Sequence, residues 1–89
     1  MVMITYNETI DQEVIEALTA GGIKNYTKVC GAFGKGGTSG SHFGNDIWPG
    51  KNNVLYVGCS STEADRLMGI VQSLRQEIGK EGIKAFAWN

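Results

Sequence analysis

The chain has 89 residues, of which 42% are hydrophobic and 19% charged, and its net charge is −1 at pH 7. This length holds one domain, and the chain lacks the basic balance that a nucleic-acid-binding face requires. No apolar stretch reaches the roughly 18 residues of a membrane span, and the N-terminus does not resemble a signal peptide. The sequence therefore predicts a cytoplasmic protein with a single domain over residues 1–89 and with reduced cysteines.

The first half of the chain predicts a strand, a helix and a second strand. Residues 2–6 are rich in β-forming side chains and contain no breaker. Thr9 and Gln12 have the spacing of a capping box. Apolar residues then recur at helical spacing, so we expect a helix over about 10–20 that ends at a Gly-Gly pair. Residues 25–32 alternate in the manner of a second strand.

The second half predicts a strand, a longer helix and a last strand. Residues 53–59 form a nearly continuous apolar run, which is typical of a central strand covered on both faces. Ser60 and Glu63 form another capping box, and the apolar period that follows predicts an amphipathic helix over about 62–79. Residues 83–88 predict the last strand.

The order of elements is therefore β-α-β-β-α-β. With right-handed crossovers this order predicts a ferredoxin-like α+β sandwich, in which two helices cover one face of a four-stranded antiparallel sheet. Neighbouring strand residues point to opposite faces, so Met3 cannot lie under the same helices as Val2 and Ile4. We expect other copies of the chain to cover the second face. The alternative is a monomer with scattered surface hydrophobics.

A long glycine-rich segment separates the two middle strands. Residues 33–50 contain six glycines, whereas a hairpin needs only about two to five residues, and such long loops are usually functional or disordered. Glycines in this pattern form backbone nests that bind anions, and hydroxyls with a cation suit phosphate. The candidate ligand residues here are Gly34, Lys35, Gly36, Gly37, Thr38 and Ser39. A flexible loop that binds nothing is the equal alternative.

The second half of that segment carries a large aromatic residue. Trp48, Pro49 and Gly50 predict a tight turn, because proline fixes φ and glycine supplies a positive φ. Trp48 is an apolar group on a loop. It is therefore a candidate lid over a cleft or anchor at a partner interface.

The order of elements, the glycine-rich opening of the segment and its Trp-Pro-Gly step resemble the nitrogen-regulatory P-II family and its P-II-like relatives. The residues that carry the resemblance are Val29, Gly31, Gly34, Gly36, Gly37, Trp48, Pro49, Gly50 and Asn53. The resemblance implies a homotrimeric signalling protein that binds an adenine nucleotide in clefts between subunits. It also implies that residues 33–50 contact a target protein, with Gly34, Lys35, Gly36 and Gly37 at the nucleotide. We expect Trp48 to be the residue that this segment presents to the partner.

The chain departs from the family pattern at two ligand-binding elements. The segment has no counterpart of the glutamine that helps to bind magnesium and 2-oxoglutarate. The phosphate-gripping loop before the last strand keeps only Gly82, Ile83 and Lys84. The resemblance therefore implies Lys84 as a further ligand residue, while the effector stays open among ATP, ADP, AMP and other small anions, and no cofactor is assigned.

A metal-binding function is the main alternative. CutA-type divalent-ion tolerance proteins share this fold and trimer. The one histidine, His42, and Asp46 are the candidate ligands, although the chain has no Cys-x-x-Cys or similar zinc spacing. Cys30 and Cys59 fall within predicted strands, which favours buried, inert thiols.

An enzyme is not expected. Ser39, His42 and Asp46 supply a nucleophile, a base and an orienting group within one segment. A glycine-rich loop does not hold such groups to the precision that catalysis needs. A structural module without any ligand is the third alternative.

Overall fold

The computed structural model describes residues 1–32, 51–79 and 82–88, and the elements within them follow the predicted order. The strands are β1 (Val2–Asn7), β2 (Thr27–Ala32), β3 (Asn52–Val57) and β4 (Ile83–Ala87), and the helices are α1 (Asp11–Ala20) and α2 (Ser61–Ile78). A short 3₁₀ turn, Glu8–Ile10, precedes α1. The strands form one antiparallel sheet in the order β2-β3-β1-β4. The predicted ferredoxin-like α+β fold is confirmed, and β3 is an inner strand as expected.

The core lies between the two helices and one face of the sheet. On β1 the side chains of Val2, Ile4 and Tyr6 are at most 1% exposed. They cluster with buried residues of both helices, which are Val14, Leu18, Leu67, Val71 and Leu74. Because alternate residues of β1 face the helices, the residues between them must face away from the core. Neither helix of the described ranges combines the length and hydropathy of a membrane span.

The start of α2 confirms the predicted capping box. The Oγ of Ser60 accepts a hydrogen bond from the backbone N–H of Glu63 at 3.2 Å, and Glu63 Oε1 accepts from the Ser60 N–H at 3.0 Å. This backbone hydrogen bond from Ser60 lowers the pKa of the Glu63 carboxyl. These two hydrogen bonds satisfy two backbone N–H groups at the start of α2, and both form within four consecutive residues.

The capping box predicted at Thr9 and Gln12 is wrong. Asn7 opens the turn instead, since its Oδ1 accepts from the Thr9 N–H at 2.9 Å and from the Thr9 hydroxyl at 2.6 Å. Gln12 donates to Glu16 Oε2 at 3.1 Å, and Ile10, which precedes α1, makes no side-chain cap. Asparagine caps helices at least as well as threonine. Its earlier position makes the Thr9 hydroxyl a donor to Asn7.

The end of α1 follows the prediction. Gly22 has φ +84°, its N–H donates to Thr19 O at 3.0 Å, and the Ile23 N–H donates to Leu18 O at 2.9 Å. This is a Schellman motif, in which glycine takes the left-handed conformation without a Cβ penalty. Ile23 and Leu18 are both buried, so the motif also directs the chain back into the core.

Strand β2 forms one edge of the sheet and contains an irregularity. Five of its six residues are exposed. Val29 lies opposite Val54, but Ala32 lies opposite Asn52, so Cys30 and Gly31 share one position of β3. Gly31 has φ +73°, a conformation that suits glycine in a bulge. The expectation of two buried thiols is therefore wrong, because Cys30 lies exposed on this edge strand and Cys59 is half-buried beyond β3.

Candidate functional site

The sheet face opposite the helices carries an apolar surface. Antiparallel register places Tyr56, Met3 and Phe86 side by side across three strands. Tyr56 is 39% exposed and Phe86 46% exposed. We call this surface the open face, and its described apolar members are Met3, Val29, Val54, Tyr56 and Phe86. Apolar residues thus lie on both faces of the sheet, as the alternation in the sequence predicts.

Lys84 is the member of the predicted ligand set that lies within the described residues. It pairs with Thr5 across β1 and β4, which puts it on the open face. Because β4 is an edge strand, Lys84 stands at the rim of that face, where it is half-buried. The other predicted residues lie outside the described residues; they are Gly34, Lys35, Gly36, Gly37, Thr38 and Ser39, together with Trp48, His42 and Asp46.

A cluster of polar side chains surrounds Asp11 on the sheet face that the helices cover. The sequence did not indicate this cluster. Asp11 Oδ1 accepts hydrogen bonds from Tyr6 Oη at 2.5 Å and from Asn53 Nδ2 at 3.1 Å. Lys28 Nζ lies 3.1 Å from both carboxylate oxygens. We call these four residues the Asp11 cluster. It joins the first residue of α1 to three strands, including the two that border residues 33–50.

The cluster holds Asp11 as an anion. Burial by itself would raise the pKa of this carboxyl, but the hydrogen bonds from Tyr6, Lys28 and Asn53 outweigh it and lower the pKa below the ordinary 3.8. Burial, followed by the hydrogen bond to Asp11, raises the pKa of the Tyr6 hydroxyl. The hydrogen bond to Asp11 raises the pKa of Lys28. The phenol and the ammonium therefore remain donors to a charged carboxylate over the physiological pH range.

Acid is expected to remove the contribution of Asp11 to stability. A carboxyl whose pKa is depressed in the folded state stabilises the fold above its unfolded pKa and loses that effect as pH falls through the folded value. The difference in free energy of unfolding between wild type and Asp11→Asn should therefore shrink below about pH 4. Urea unfolding at about pH 7, 5 and 3 measures it. A difference that stays constant over this range would contradict the prediction.

A separate cleft of about 320 Å³ lies at the opposite end of the sheet from the Asp11 cluster. It is lined by the beginning of β1, the end of β4 and the first turn of α2, with Met1, Cys59, Ser60 and Trp88 among its walls. Lys84 is absent from its lining. This cleft therefore lies apart from the one predicted ligand residue that the structure describes.

The described residues add no candidate ligands to the metal-binding alternative. Within residues 1–32, 51–79 and 82–88 no three or more histidine, cysteine, aspartate or glutamate side chains are grouped so that they could hold a metal ion. His42 and Asp46 are outside these ranges, so the metal site stays a prediction.

Comparison with known proteins shows which solved structures share this fold. Neither a family model nor a curated protein matches the chain. A PII-like signaling protein from Thermus thermophilus is similar in structure, with a TM-score of 0.61, 23% identity, and coverage of 96% of this chain and 79% of that chain. The apo form of CPII from Thiomonas intermedia, a nitrogen regulatory PII-like protein, gives a TM-score of 0.68, 14% identity, and coverage of 96% and 80%.

A second structure of CPII, bound to ADP, AMP and acetate, gives a TM-score of 0.68 at 16% identity, and covers 96% of this chain and 78% of that chain. The described elements therefore have the fold of PII-like proteins. The resemblance predicted from the sequence is confirmed at the level of the fold.

Proposed function

We propose that the chain is a P-II-like regulatory subunit, which forms a homotrimer, binds an adenine nucleotide in clefts between subunits and signals through residues 33–50. The observation that supports this most strongly is the fold shared over 96% of the chain with PII-like signaling proteins. One of those structures is bound to ADP and AMP. On this proposal residues 1–89 form one P-II-like domain that acts in the cytoplasm as a regulator and not as an enzyme.

The open face supports the assembly. Three of its five described apolar side chains are exposed in the single chain, Val29 at 45%, Tyr56 at 39% and Phe86 at 46%, and the other two, Met3 and Val54, are half-buried. Covering apolar area contributes about 25 cal/mol per Å². A chain of 89 residues buries only about 60–65% of its unfolded surface alone, so it gains much from association. Homo-oligomers usually have closed symmetry, and a closed ring of three subunits would cover such a face without leaving it open to further copies.

The position of Lys84 supports the proposal that the ligand carries a phosphate. This ammonium stands at the rim of the open face, where subunits that cover the face would meet. Strands β2 and β3 border residues 33–50, which carry the glycines, Lys35 and the hydroxyls suited to phosphate. A phosphate held between Lys84 and this segment would join two functions, ligand binding and the ordering of the signalling segment. Trp48 would then be presented to a target protein.

The free energy that a ligand can supply to such a signal is limited. A ligand shifts a conformational equilibrium only by the difference between its affinities for the two states. To move the equilibrium between two states from 1:99 to 99:1, a ligand must bind one state about 5.5 kcal/mol more tightly than the other. A single phosphate contact is not sufficient for that. The proposal therefore requires that several groups of the segment contact the nucleotide together.

A ligand screen tests the proposal. Thermal unfolding of the full chain is followed with ATP, ADP, AMP, cyclic AMP and divalent metal ions, and calorimetry confirms each ligand that raises the midpoint. A ligand at about 100 times its Kd adds roughly 2.7 kcal/mol to the free energy of unfolding. An adenine nucleotide that gives this increase supports the proposal. No heat and no shift with any nucleotide would remove it, and a metal shift lost in His42→Ala would favour the CutA-like alternative.

A further inference from the structure

We infer that strand β2 detaches from the sheet while the rest of the domain stays folded, and that the ion pair between Lys28 and Asp11 holds it closed. The motion involves no ligand, so it is independent of the proposed function. While β2 is detached, β3 becomes an edge strand, and its backbone groups on that side are free to pair with another strand.

Strand β2 has no buried anchor in the domain. It is an edge strand that pairs with β3 alone. Five of its six residues are exposed, and none of the six belongs to the buried core or packs against it. Elements with few buried apolar contacts open locally at a lower free energy than the whole domain needs to unfold. Strand β2 has this character, whereas the helices and the other strands contribute buried side chains.

The backbone pairing of β2 is also short. Residues 27–29 lie in regular register opposite residues 54–56, and the register then shifts before Ala32. Beyond the shift, Asn52 Nδ2 donates to Ala32 O at 3.3 Å, which again joins β2 to β3. All of these hydrogen bonds connect the same two strands, so they can be lost together without disturbing the rest of the sheet.

One side-chain contact joins β2 to a different part of the domain. Lys28 lies in the regularly paired half of β2, and its Nζ is 3.1 Å from both carboxylate oxygens of Asp11 on α1. Asp11 accepts in turn from Tyr6 and Asn53, which are 1% and 5% exposed. Within the described residues, no other side-chain hydrogen bond joins β2 to an element other than β3. The ion pair therefore opposes the separation of β2 from the domain.

The backbone of β1 shows which way the hydrogen bonds of the sheet run. The Asn7 N–H donates to Gly82 O at 3.1 Å, and the Trp88 N–H donates to Met1 O at 3.0 Å. In an antiparallel sheet both backbone groups of a residue point to the same neighbouring strand. The odd-numbered residues of β1 therefore pair with β4, and its even-numbered residues pair with β3.

This alternation gives β3 two kinds of amide. The even-numbered residues of β1 lie opposite odd-numbered residues of β3, so the N–H groups of Leu55 and Val57 pair with β1. The N–H groups of Val54 and Tyr56 point the other way and pair with β2. Detachment of β2 frees Val54 and Tyr56, which we call the reporter amides. It leaves Leu55 and Val57, which we call the reference amides, in their hydrogen bonds.

Hydrogen exchange of the full chain, followed amide by amide by NMR without any ligand, tests the motion. The reporter amides should be protected about tenfold or more weakly than the reference amides, although the two sets alternate along one strand. Urea below the unfolding transition should speed exchange of the reference amides more, because global unfolding exposes more surface than a local opening does. Equal protection of the two sets would overturn the inference.

Substitutions at Lys28 test the ion pair. Lys28→Met keeps the length of the side chain and removes the charge, so it should speed exchange of the reporter amides about two- to fivefold. Lys28→Arg should exchange as wild type does, since a guanidinium also pairs with a carboxylate. Lys24→Met, at an exposed lysine before β2, is the control for charge and should change nothing. Reporter amides that do not respond to Lys28→Met, or that respond equally to Lys24→Met, would exclude the ion pair as the contact that holds β2.

A core substitution shows whether the rest of the domain stays folded while β2 is detached. Ile83 is fully buried on β4, at the opposite edge of the sheet from β2. Ile83→Val removes one methylene and lowers global stability, so it should speed exchange of the reference amides about two- to tenfold. The reporter amides should keep their wild-type rates, because the detached state still contains the intact core. An equal acceleration of both sets would mean that β2 opens only when the whole domain unfolds, and the inference would fail.

Discussion

Replacing Tyr56 with aspartate is expected to convert the assembly to monomers. Tyr56 lies on the inner strand β3, with Thr27 on one side and Met3 on the other, in the middle of the open face. If other copies cover this face, the substitution buries a carboxylate without a partner, which costs far more than the lost apolar contact. Light scattering after gel filtration should give three times 9.6 kDa for wild type and a single subunit for Tyr56→Asp.

The matched control is Tyr26→Asp. Tyr26 is 36% exposed, nearly as much as Tyr56 at 39%, but it lies outside the sheet, before β2. The same chemical change there should leave the mass unchanged. Circular dichroism of both variants shows whether the fold is kept. A Tyr56→Asp protein that keeps the wild-type mass would exclude the open face as the interface, and a monomeric wild type would exclude the trimer.

The parts of the fold that were predictable from sequence are those with local causes. The capping box at Ser60 and Glu63 and the apolar period behind it involve residues within a few positions of one another, so α2 follows from the sequence almost to the residue. The Gly-Gly stop of α1 is equally local. The capping box predicted before α1 was wrong because two candidate cap residues lie within three positions, and Asn7 took the acceptor role from Thr9.

The open face was predictable because alternation along a strand is also local. Met3 beside Val2 and Ile4 requires apolar groups on both faces in any sheet. The irregularity at Cys30 and Gly31 was not predictable, since it depends on how β2 pairs with β3. The expectation of a buried Cys30 failed for the same reason: the alternation in the sequence does not say which strand lies at an edge.

The Asp11 cluster could not have been found from one sequence. Its contacts join residues separated by 5, 17 and 42 positions, and no motif relates them. Each member has an ordinary local explanation: Asp11 in the first turn of a helix, Tyr6 and Lys28 in strands. The only signal available was polar residues on strands and at the start of a helix, and such residues are too common to identify partners.

The double substitution Lys35→Met and Lys84→Met is expected to weaken ADP binding about a hundredfold. A hydrogen bond that involves a charged group contributes about 1.5–3 kcal/mol, and two such contacts to phosphate at the lower end of this range, about 3 kcal/mol together, account for roughly that factor. Methionine keeps the length and apolar stem of lysine, so the variant removes charge with little change of shape. Calorimetry with ADP, at one fixed salt concentration, measures the Kd, because phosphate contacts weaken as salt rises.

The control must change net charge by the same amount without touching the site. Lys24→Met combined with Arg75→Gln does so, because Lys24 precedes β2 and Arg75 lies on α2, away from the open face. That control should bind ADP as wild type does. AMP provides a second comparison: if the two lysines grip the terminal phosphate of ADP, their loss should weaken ADP binding more than AMP binding. A double variant with wild-type affinity for ADP would show that the phosphates bind elsewhere, and the cleft at the start of α2 would then be the next site to test.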